Sequence, residues 1–313
     1  MAEQVRANGI TVELSNTDKV LFPGDDITKG DLIGYYKSVA DRMLPLLRDR
    51  PVSMARFPDG IKGERIMQKN APAYFPSWIR RAELAKQDGT VWHVICDKQA
   101  TLVYLANQAC IELHVFLSKL DRLDNPDQLI FDLDPPDGRS FDRVRECAFL
   151  VRGLLEDELG LSTFVKTTGG HGLHVHVPLD RSADFDSARG FARDAASLLA
   201  ARHPDLMTTQ QRKDGRGDRV YLDMMRNAYA QTAAAPYSVR ARPGATVATP
   251  LDWQELDDRR LTPGRFTIAT VPGRLAAMKG NEDPWASLAR RRYSVSKAAA
   301  KLSDLVNTRM PAG

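Results

Sequence analysis

With 313 residues, 43% of them apolar and 27% charged, the chain can bury a sizeable core as one large domain or as two interlocked lobes. A net charge of +4, from 44 Lys and Arg against 40 Asp and Glu, does not mark a polycation, and no run of eighteen apolar residues or basic-then-apolar N-terminus points to a membrane span or a secreted precursor. The cysteines, Cys96, Cys110 and Cys147, lie far apart with no C-x-x-C partner, which argues against a zinc site and a disulfide framework and for a reducing, cytoplasmic setting.

In chain order, Ile10 to Leu14 alternates as a strand, and Thr28 is placed to cap a helix running to about Leu47, with Leu32, Ile33, Tyr36, Val39, Met43 and Leu47 on its apolar side. Strands are predicted at Val52 to Phe57 and Arg65 to Lys69, with a turn at Gly60 and Gly63 between them. Ala71 to Gln87, with Pro72, Pro76 and Trp78, reads as irregular loop with one helical turn. Thr90 to Cys96 is a predicted strand, Asp97 the cap of a helix over Lys98 to Gln108, and Ile111 to Val115 a strand carrying His114. Further on, Ser140 is placed to cap a helix through Val144, Ala148, Val151 and Leu155, closed by Gly160; strands follow at Leu161 to Lys166 and Leu173 to Val177 around a glycine-rich loop. Asp184 to Arg202 is a predicted amphipathic helix, Arg219 to Asp223 a short strand, Pro250 to Asp257 a helix, and the alanine- and lysine-rich end a frayed tail. Strands and helices alternate without internal repeats: a mixed α/β (α+β) protein with functional residues at strand ends.

The chemistry gathers on Leu129-Ile130-Phe131-Asp132-Leu133-Asp134-Pro135-Pro136. On a strand, Leu129, Phe131 and Leu133 face one way and Asp132 and Asp134 the other, and the prolines, lacking amide donors, end the strand with its carboxylates at the rim. Carboxylates this close raise one another's pKa unless a cation lies between them, and hard oxygen donors favour Mg²⁺ or Mn²⁺ over zinc. A bare D-x-D is equally compatible with two solvated strand-end aspartates. Asp223, ending the apolar run Val220-Tyr221-Leu222, supplies a third carboxylate, and three can hold two divalent ions about 3.5 to 4 Å apart for phosphoryl transfer. In Gly169-Gly170-His171-Gly172, glycine amides are placed to converge on an anion beside His174, while His176 reads as structural; an H-x-H zinc site is the rival. Basic residues cluster at Arg212, Lys213, Arg216, Arg219, Arg226, Arg240 and Arg242 and again at Arg290 to Arg292, the footprint of a nucleic-acid partner or merely a solvated face.

These segments carry a resemblance. Asp18-Lys19-Val20-Leu21-Phe22-Pro23, Glu112-Leu113-His114, Ile130 to Pro135, Gly172-Leu173-His174, Asp223-Met224-Met225-Arg226-Asn227 and Ala235-Pro236-Tyr237-Ser238-Val239-Arg240 are together similar to the archaeo-eukaryotic primase superfamily. More closely, they resemble the polymerase domain of bacterial end-joining ligase D and its stand-alone primase-polymerase relatives. The resemblance implies a primase-polymerase fold: an RRM-like mixed-sheet catalytic core interlocked with an N-terminal α/β lobe, one catalytic domain over residues 1–290 with lobes of about 1–125 and 126–290, and a flexible basic tail over 291–313.

It further implies a monomeric, template-directed DNA/RNA polymerase filling short DNA gaps or ends, with Asp132, Asp134 and Asp223 as catalytic metal ligands for two Mn²⁺ or Mg²⁺ ions and no zinc. NTP or dNTP, ribonucleotides included, would be held by His114, Thr168, Gly170, His171, Gly172, His174 and Arg240. DNA would be held by Lys19, Lys29, Lys69, Lys213, Arg216 and Arg226, the first two gripping a 5′-phosphate across a gap. Partners implied are gapped or broken 5′-phosphorylated DNA and repair proteins such as a separate ligase, since no adenylation motif is recognised, in a bacterial cytoplasm at the nucleoid and away from membranes. The chain departs from the family at His171, where ligase D relatives commonly carry a lysine that would contact the triphosphate, and at Ile66-Met67, which replaces a common aromatic pair and so implies template stacking that is weaker or supplied elsewhere. Two other readings compete: a haloacid-dehalogenase-type phosphatase, which Pro136 and the central position of the D-x-D disfavour, and a non-catalytic nucleic-acid-binding module, which leaves three rim aspartates without a purpose.

Overall fold

The computed structural model describes residues 3–86, 88–136, 141–278 and 283–309. Its contacts divide the chain into two compact units: one formed by Met1–Asp121, Thr232–Thr249 and Gly264–Lys279, the other by Arg122–Gln231, Pro250–Pro263 and Gly280–Gly313.

The first unit is built on an antiparallel sheet in the order Thr232–Ala234, Cys110–Phe116, Pro51–Arg56, Gly89–Ile95, Arg81–Lys86, with Ile66–Gln68 also paired to Pro51–Arg56. Thr28 caps the helix Lys29–Ser38 as expected: its hydroxyl accepts from Asp31 N, and Asp31 returns a carboxylate to Thr28 N, a reciprocal capping box. The helix expected to reach Leu47 breaks at Val39 and restarts as Ala40–Leu47, which contains Pro45.

Three further expectations fail here or nearby for identifiable reasons. The span 71–87 was expected to be loop, yet Arg81–Lys86 forms a hairpin with Gly89–Ile95, and Gly89 takes φ +104 at the turn. Its composition, R-A-E-L-A-K, has poor strand propensity and only Leu84 is buried, so the pairing comes from the neighbouring strand rather than from local preference. The cap of Gln99–Asn107 is Lys98, not Asp97; no side chain of its own caps it, and Asn8 Oδ1, far away in sequence, accepts from Gln99 N at 2.7 Å. Around Pro250 to Asp257 there is a two-residue strand, Pro250–Leu251, and a 3-10 turn, Trp253–Asp257, in place of a helix.

The second unit carries the other six-stranded sheet, in the order Met207–Thr208, Val220–Asp223, Gln128–Asp134, Leu173–Pro178, Phe164–Thr167, Pro250–Leu251; only the first pair is parallel. Leu129, Phe131 and Leu133 are wholly buried, each contributing about 2 kcal/mol of burial, as their alternation with Asp132 and Asp134 requires. Helices Phe141–Gly153 and Phe185–Arg202 pack on this sheet, the second capped by Asp184, and Gly160 closes the turn after the first at φ +74. The expected cap Ser140 lies outside the described residues. The end expected to be a frayed tail carries the helix Val295–Arg309, which buries Val295, Ala298 and Leu302 and packs on Phe185–Arg202; an apolar stripe at i, i+3, i+7 hidden among alanines and lysines is the reason.

Candidate active site

Strand register assembles the carboxylates. Asp132 lies directly across from Asp223 on one side and from His174 on the other, and His174 in turn faces Lys166, so four charged or polar side chains form one row over the sheet. Asp134, two residues along, shares the face of Asp132. One carboxylate oxygen from each of Asp132, Asp134 and Asp223 lies within 4.8 Å of the others.

Burial is the largest influence raising the Asp134 carboxyl, to about 6, with the Asp132 and Asp223 charges adding to it and Arg226 and Arg216 opposing. At Asp132, His174 Nε2 approaches to 3.3 Å and the half-exposed Arg226 Nε to 3.7 Å. A donor set of oxygens alone, crowded enough to raise one member's pKa, suits a hard divalent cation.

Two devices hold the cluster in place. Asn227, buried after the turn that follows Asp223, accepts from Ile130 N at 2.8 Å and donates to Ile130 O at 2.7 Å, continuing the ladder where the Val220–Asp223 strand has stopped. Gly172 packs so closely on the end of the central strand that a Cβ there would overlap the Leu133 carbonyl oxygen and touch Asp134. The loop amides behave differently from expectation. Those of Gly170 and Gly172 donate to Thr168 Oγ1, at 3.0 and 3.2 Å, and the Thr168 hydroxyl donates to Gly172 O, so the turn is braced internally rather than left open as an amide cradle. His171 is exposed at its tip. His176 is structural, as read: its Nδ1 meets Gln128 Oε1 at 2.9 Å and its ring packs edge-on against Trp285.

In the first unit, His114 and Arg240 are gathered by a residue the sequence reading quoted but gave no role. Buried Glu112 receives Arg65 Nη2 at 3.0 Å, His114 Nε2 at 3.0 Å, Arg240 Nε at 3.1 Å and the Ala241 amide at 3.0 Å. Burial pushes the Glu112 carboxyl up, but the His114 and Arg240 interactions overcome it and leave it well below the ordinary value. Burial, aided by Arg240 and Arg65, lowers His114 against the pull of Glu112. A neutral imidazole donating from Nε2 to an ionised carboxylate satisfies both directions.

Arg240 is fixed through its backbone neighbours: Tyr237, at φ +66, has its carbonyl held by Tyr35 OH, Val239 N donates to Tyr36 OH, and Ser238 Oγ accepts from Leu113 N. Lys19 and Lys29 are adjacent, Lys29 N donating to Lys19 O; Lys19 pairs with Asp59 at 2.9 Å, and burial, then Lys19, lowers the Lys29 pKa. Lys69 and Lys213 are exposed, and Arg216 lies 3.9 Å over the Tyr221 ring while bonding Gln210 O and Gln211 O of its own loop.

Beyond Glu112 and Asn227, the sequence reading missed Arg65 and Lys166. A lysine flanked by Phe164, Val165 and Thr167 in an apolar strand, and a glutamate two residues before His114 on the same face, were the available signals.

Residues 28–285 match the family model described as the primase-polymerase domain of LigD. The chain is 37% identical over 257 residues to the multifunctional non-homologous end joining protein LigD of Mycolicibacterium smegmatis, covering 82% of this chain and 34% of that protein. With the bifunctional non-homologous end joining protein LigD of Bacillus subtilis it shares 33% identity over 265 residues, 84% of this chain and 42% of that one. It thus spans only about a third to two fifths of these relatives. Among solved structures, the polymerase domain of Mycobacterium tuberculosis ligase D in complex with DNA matches at a TM-score of 0.83 and 34% identity, over 90% of this chain and 99% of that chain. The mixed α/β fold with antiparallel sheets is therefore that of this relative.

Proposed function

We propose, from the premise that the chain belongs to the LigD primase-polymerase domain family, that it is a template-directed nucleotidyltransferase adding nucleotides to short DNA gaps or ends during end-joining repair. The observation that carries this is the register of Asp132 against Asp223, which brings three rim carboxylates within 4.8 Å of one another. Asp132, Asp134 and Asp223 would hold two Mn²⁺ or Mg²⁺ ions, Asp223 only one of them. Bound there, such ions neutralise charge on the attacking and departing oxygens of a phosphoryl transfer.

The rest falls to the chain's own groups. His174 braces Asp132 from the neighbouring strand, and Thr168 locks the loop of Gly170, His171 and Gly172, which would lie along the triphosphate. Glu112 presents Arg240 and a neutral His114, a cation and an uncharged hydrogen-bonding ring suited to a phosphate and to the nucleotide beside it. Lys19 and Lys29 would take the 5′-phosphate across a gap, and Lys69, Lys213, Arg216 and Arg226 the strands. Residues 1–290 act as one catalytic domain in this reading, in a bacterial cytoplasm at the nucleoid, with a ligase activity sealing the product. Among the described residues no helix is long and apolar enough to cross a membrane.

Extension of a labelled gapped duplex tests the reading, with ribo- or deoxynucleotides, Mn²⁺ or Mg²⁺, and the downstream strand with or without its 5′-phosphate. Templated addition of one or a few nucleotides is expected, ribonucleotides included, with preference for the phosphorylated gap that weakens several-fold when Lys19 and Lys29 are both changed to alanine. Absence of any incorporation with either metal rejects the assignment; equal use of both gaps rejects the lysine pair.

A further inference from the structure

We infer that a pocket beside the outer edge of the Val220–Asp223 strand binds one backbone phosphate of a nucleic-acid strand, at a place distinct from every residue assigned above. The pocket encloses about 200 Å³ and is lined by Arg189 and Arg193 of the helix Phe185–Arg202 and by Thr209 and Gln211 of the segment that follows the edge strand. Pockets that enclose whole small molecules run to about 300–1,000 Å³, so this one suits a group rather than a complete ligand.

Its charge is unanswered. Arg189 and Arg193 lie one turn apart on the same helix face, where like charges repel. Among the described residues neither meets a carboxylate within ion-pair distance; Asp186, on the turn before Arg189, makes no pair with it. Arg189 Nε is buried without a hydrogen-bond partner, and its terminal nitrogen meets only the thioether of Met225, at 2.8 Å, a weak acceptor. A buried donor left unbonded beside a second free guanidinium, a hydroxyl and a carboxamide is a complement to a phosphate, which offers several acceptor oxygens in a geometry that arginine matches.

The position says which phosphate. Leu222 and Met224, the neighbours of Asp223 on either side, both line the pocket, and Met225, also in its wall, donates its amide to Asp223 Oδ1 at 2.7 Å. An anion held there sits against the strand end that supplies the third carboxylate. The choice of a nucleic-acid strand over another phosphate rests on the nucleotidyl-transfer reading, which requires a polynucleotide to approach these aspartates.

The test measures binding of a labelled gapped duplex over a range of salt concentrations by the unmodified protein, by R189A/R193A and by R189K/R193K, with melting curves to establish folding. The alanine pair is expected to weaken binding about tenfold at moderate salt and to make the slope of log affinity against log salt shallower by about one to two, because fewer counterions are displaced; the lysine pair recovers most of both. A folded alanine variant with unchanged slope and affinity overturns the proposal. So does an unchanged slope with millimolar inorganic phosphate raising the melting temperature of the unmodified protein alone, which assigns the pocket to a free anion, or loss of polyglutamate binding without loss of DNA binding, which assigns it to an acidic peptide. Because binding is read without turnover, a protein that binds DNA but incorporates nothing defeats the polymerase reading and leaves this outcome standing on its own.

Discussion

Two buried carboxylate sites in this molecule are arranged with opposite electrical shortfalls. In the second unit, three aspartates crowd together, and burial with mutual repulsion raises Asp134 to about 6. In the first, one glutamate is surrounded by two guanidiniums, an imidazole and an amide, and is held well below its ordinary value despite its burial. The first arrangement suits a cation, and the second, with two guanidiniums on one carboxylate, suits an anion. The carboxylate pKa values move in opposite directions accordingly, up at Asp134 and down at Glu112.

The sharpest break in this contrast is Asp132→Ala. Removing the carboxylate at the centre of the row should lower incorporation by about a thousandfold or more, on the order of 4 kcal/mol of transition-state stabilisation, while DNA binding stays intact or tightens as repulsion is relieved. Single-turnover extension and duplex binding, measured on the same preparation, decide it; a loss of both in parallel would mean a folding defect instead.

Glu112→Ala tests the other pole. It strands Arg65 and Arg240 without their shared carboxylate and should cost about 3 kcal/mol of stability, with the KM for nucleotide rising at least tenfold and divalent-cation binding unchanged. Titration of Mn²⁺ into the variant checks that the two poles are separable: altered metal affinity would show that they are not.

Asn227→Ala leaves the Ile130 amide and carbonyl without their partner in a buried site, for about 2 kcal/mol. Since Asn227 pins the turn after Asp223 to the strand of Asp132, metal affinity should fall as well. Denaturant unfolding paired with a metal titration separates this from simple destabilisation, in which affinity for the folded protein would hold.

The smallest effect is the pH dependence of the aspartate cluster. A carboxyl whose folded pKa is raised favours folding while protonated, so its contribution is present below the unfolded value of 3.8 and is lost as pH rises through about 6. In chelator, melting temperature should therefore lose a component between about pH 4 and pH 6, and added Mn²⁺ should restore progressively more over the same interval. A metal-induced shift that is flat across it would count against proton and cation competing for this site.

Much of the fold was legible in local pattern. The alternation of Leu129, Phe131 and Leu133 with Asp132 and Asp134 dictates a strand with its carboxylates on one face, and the Thr28 cap marks its helix from residue type alone. Where reading failed, the deciding partner was remote. Arg81–Lys86 is a strand because Gly89–Ile95 pairs with it, and the turn at Gln99 is capped by Asn8. The loop of Gly169 to Gly172 resembled an open cradle because glycine content reports freedom, whereas the Thr168 hydroxyl that uses that freedom is a tertiary outcome.

The amino-acid order by itself determined which residues carry chemistry: three aspartates at the ends of apolar runs, a histidine beyond a glycine loop, and a basic cluster, since charge, alternation and missing amides are properties of short segments. Only the tertiary structure decided that Asp132 stands opposite Asp223 and His174, that Lys166 lies wholly buried in the same row, and that Glu112 gathers Arg65 and Arg240. The pairings of Asp132 with His174 and Asp223, and of Glu112 with Arg65 and Arg240, join groups about 40 to 130 positions apart, brought together by hydrophobic packing and backbone pairing, and no short window of sequence contains both halves of such a contact.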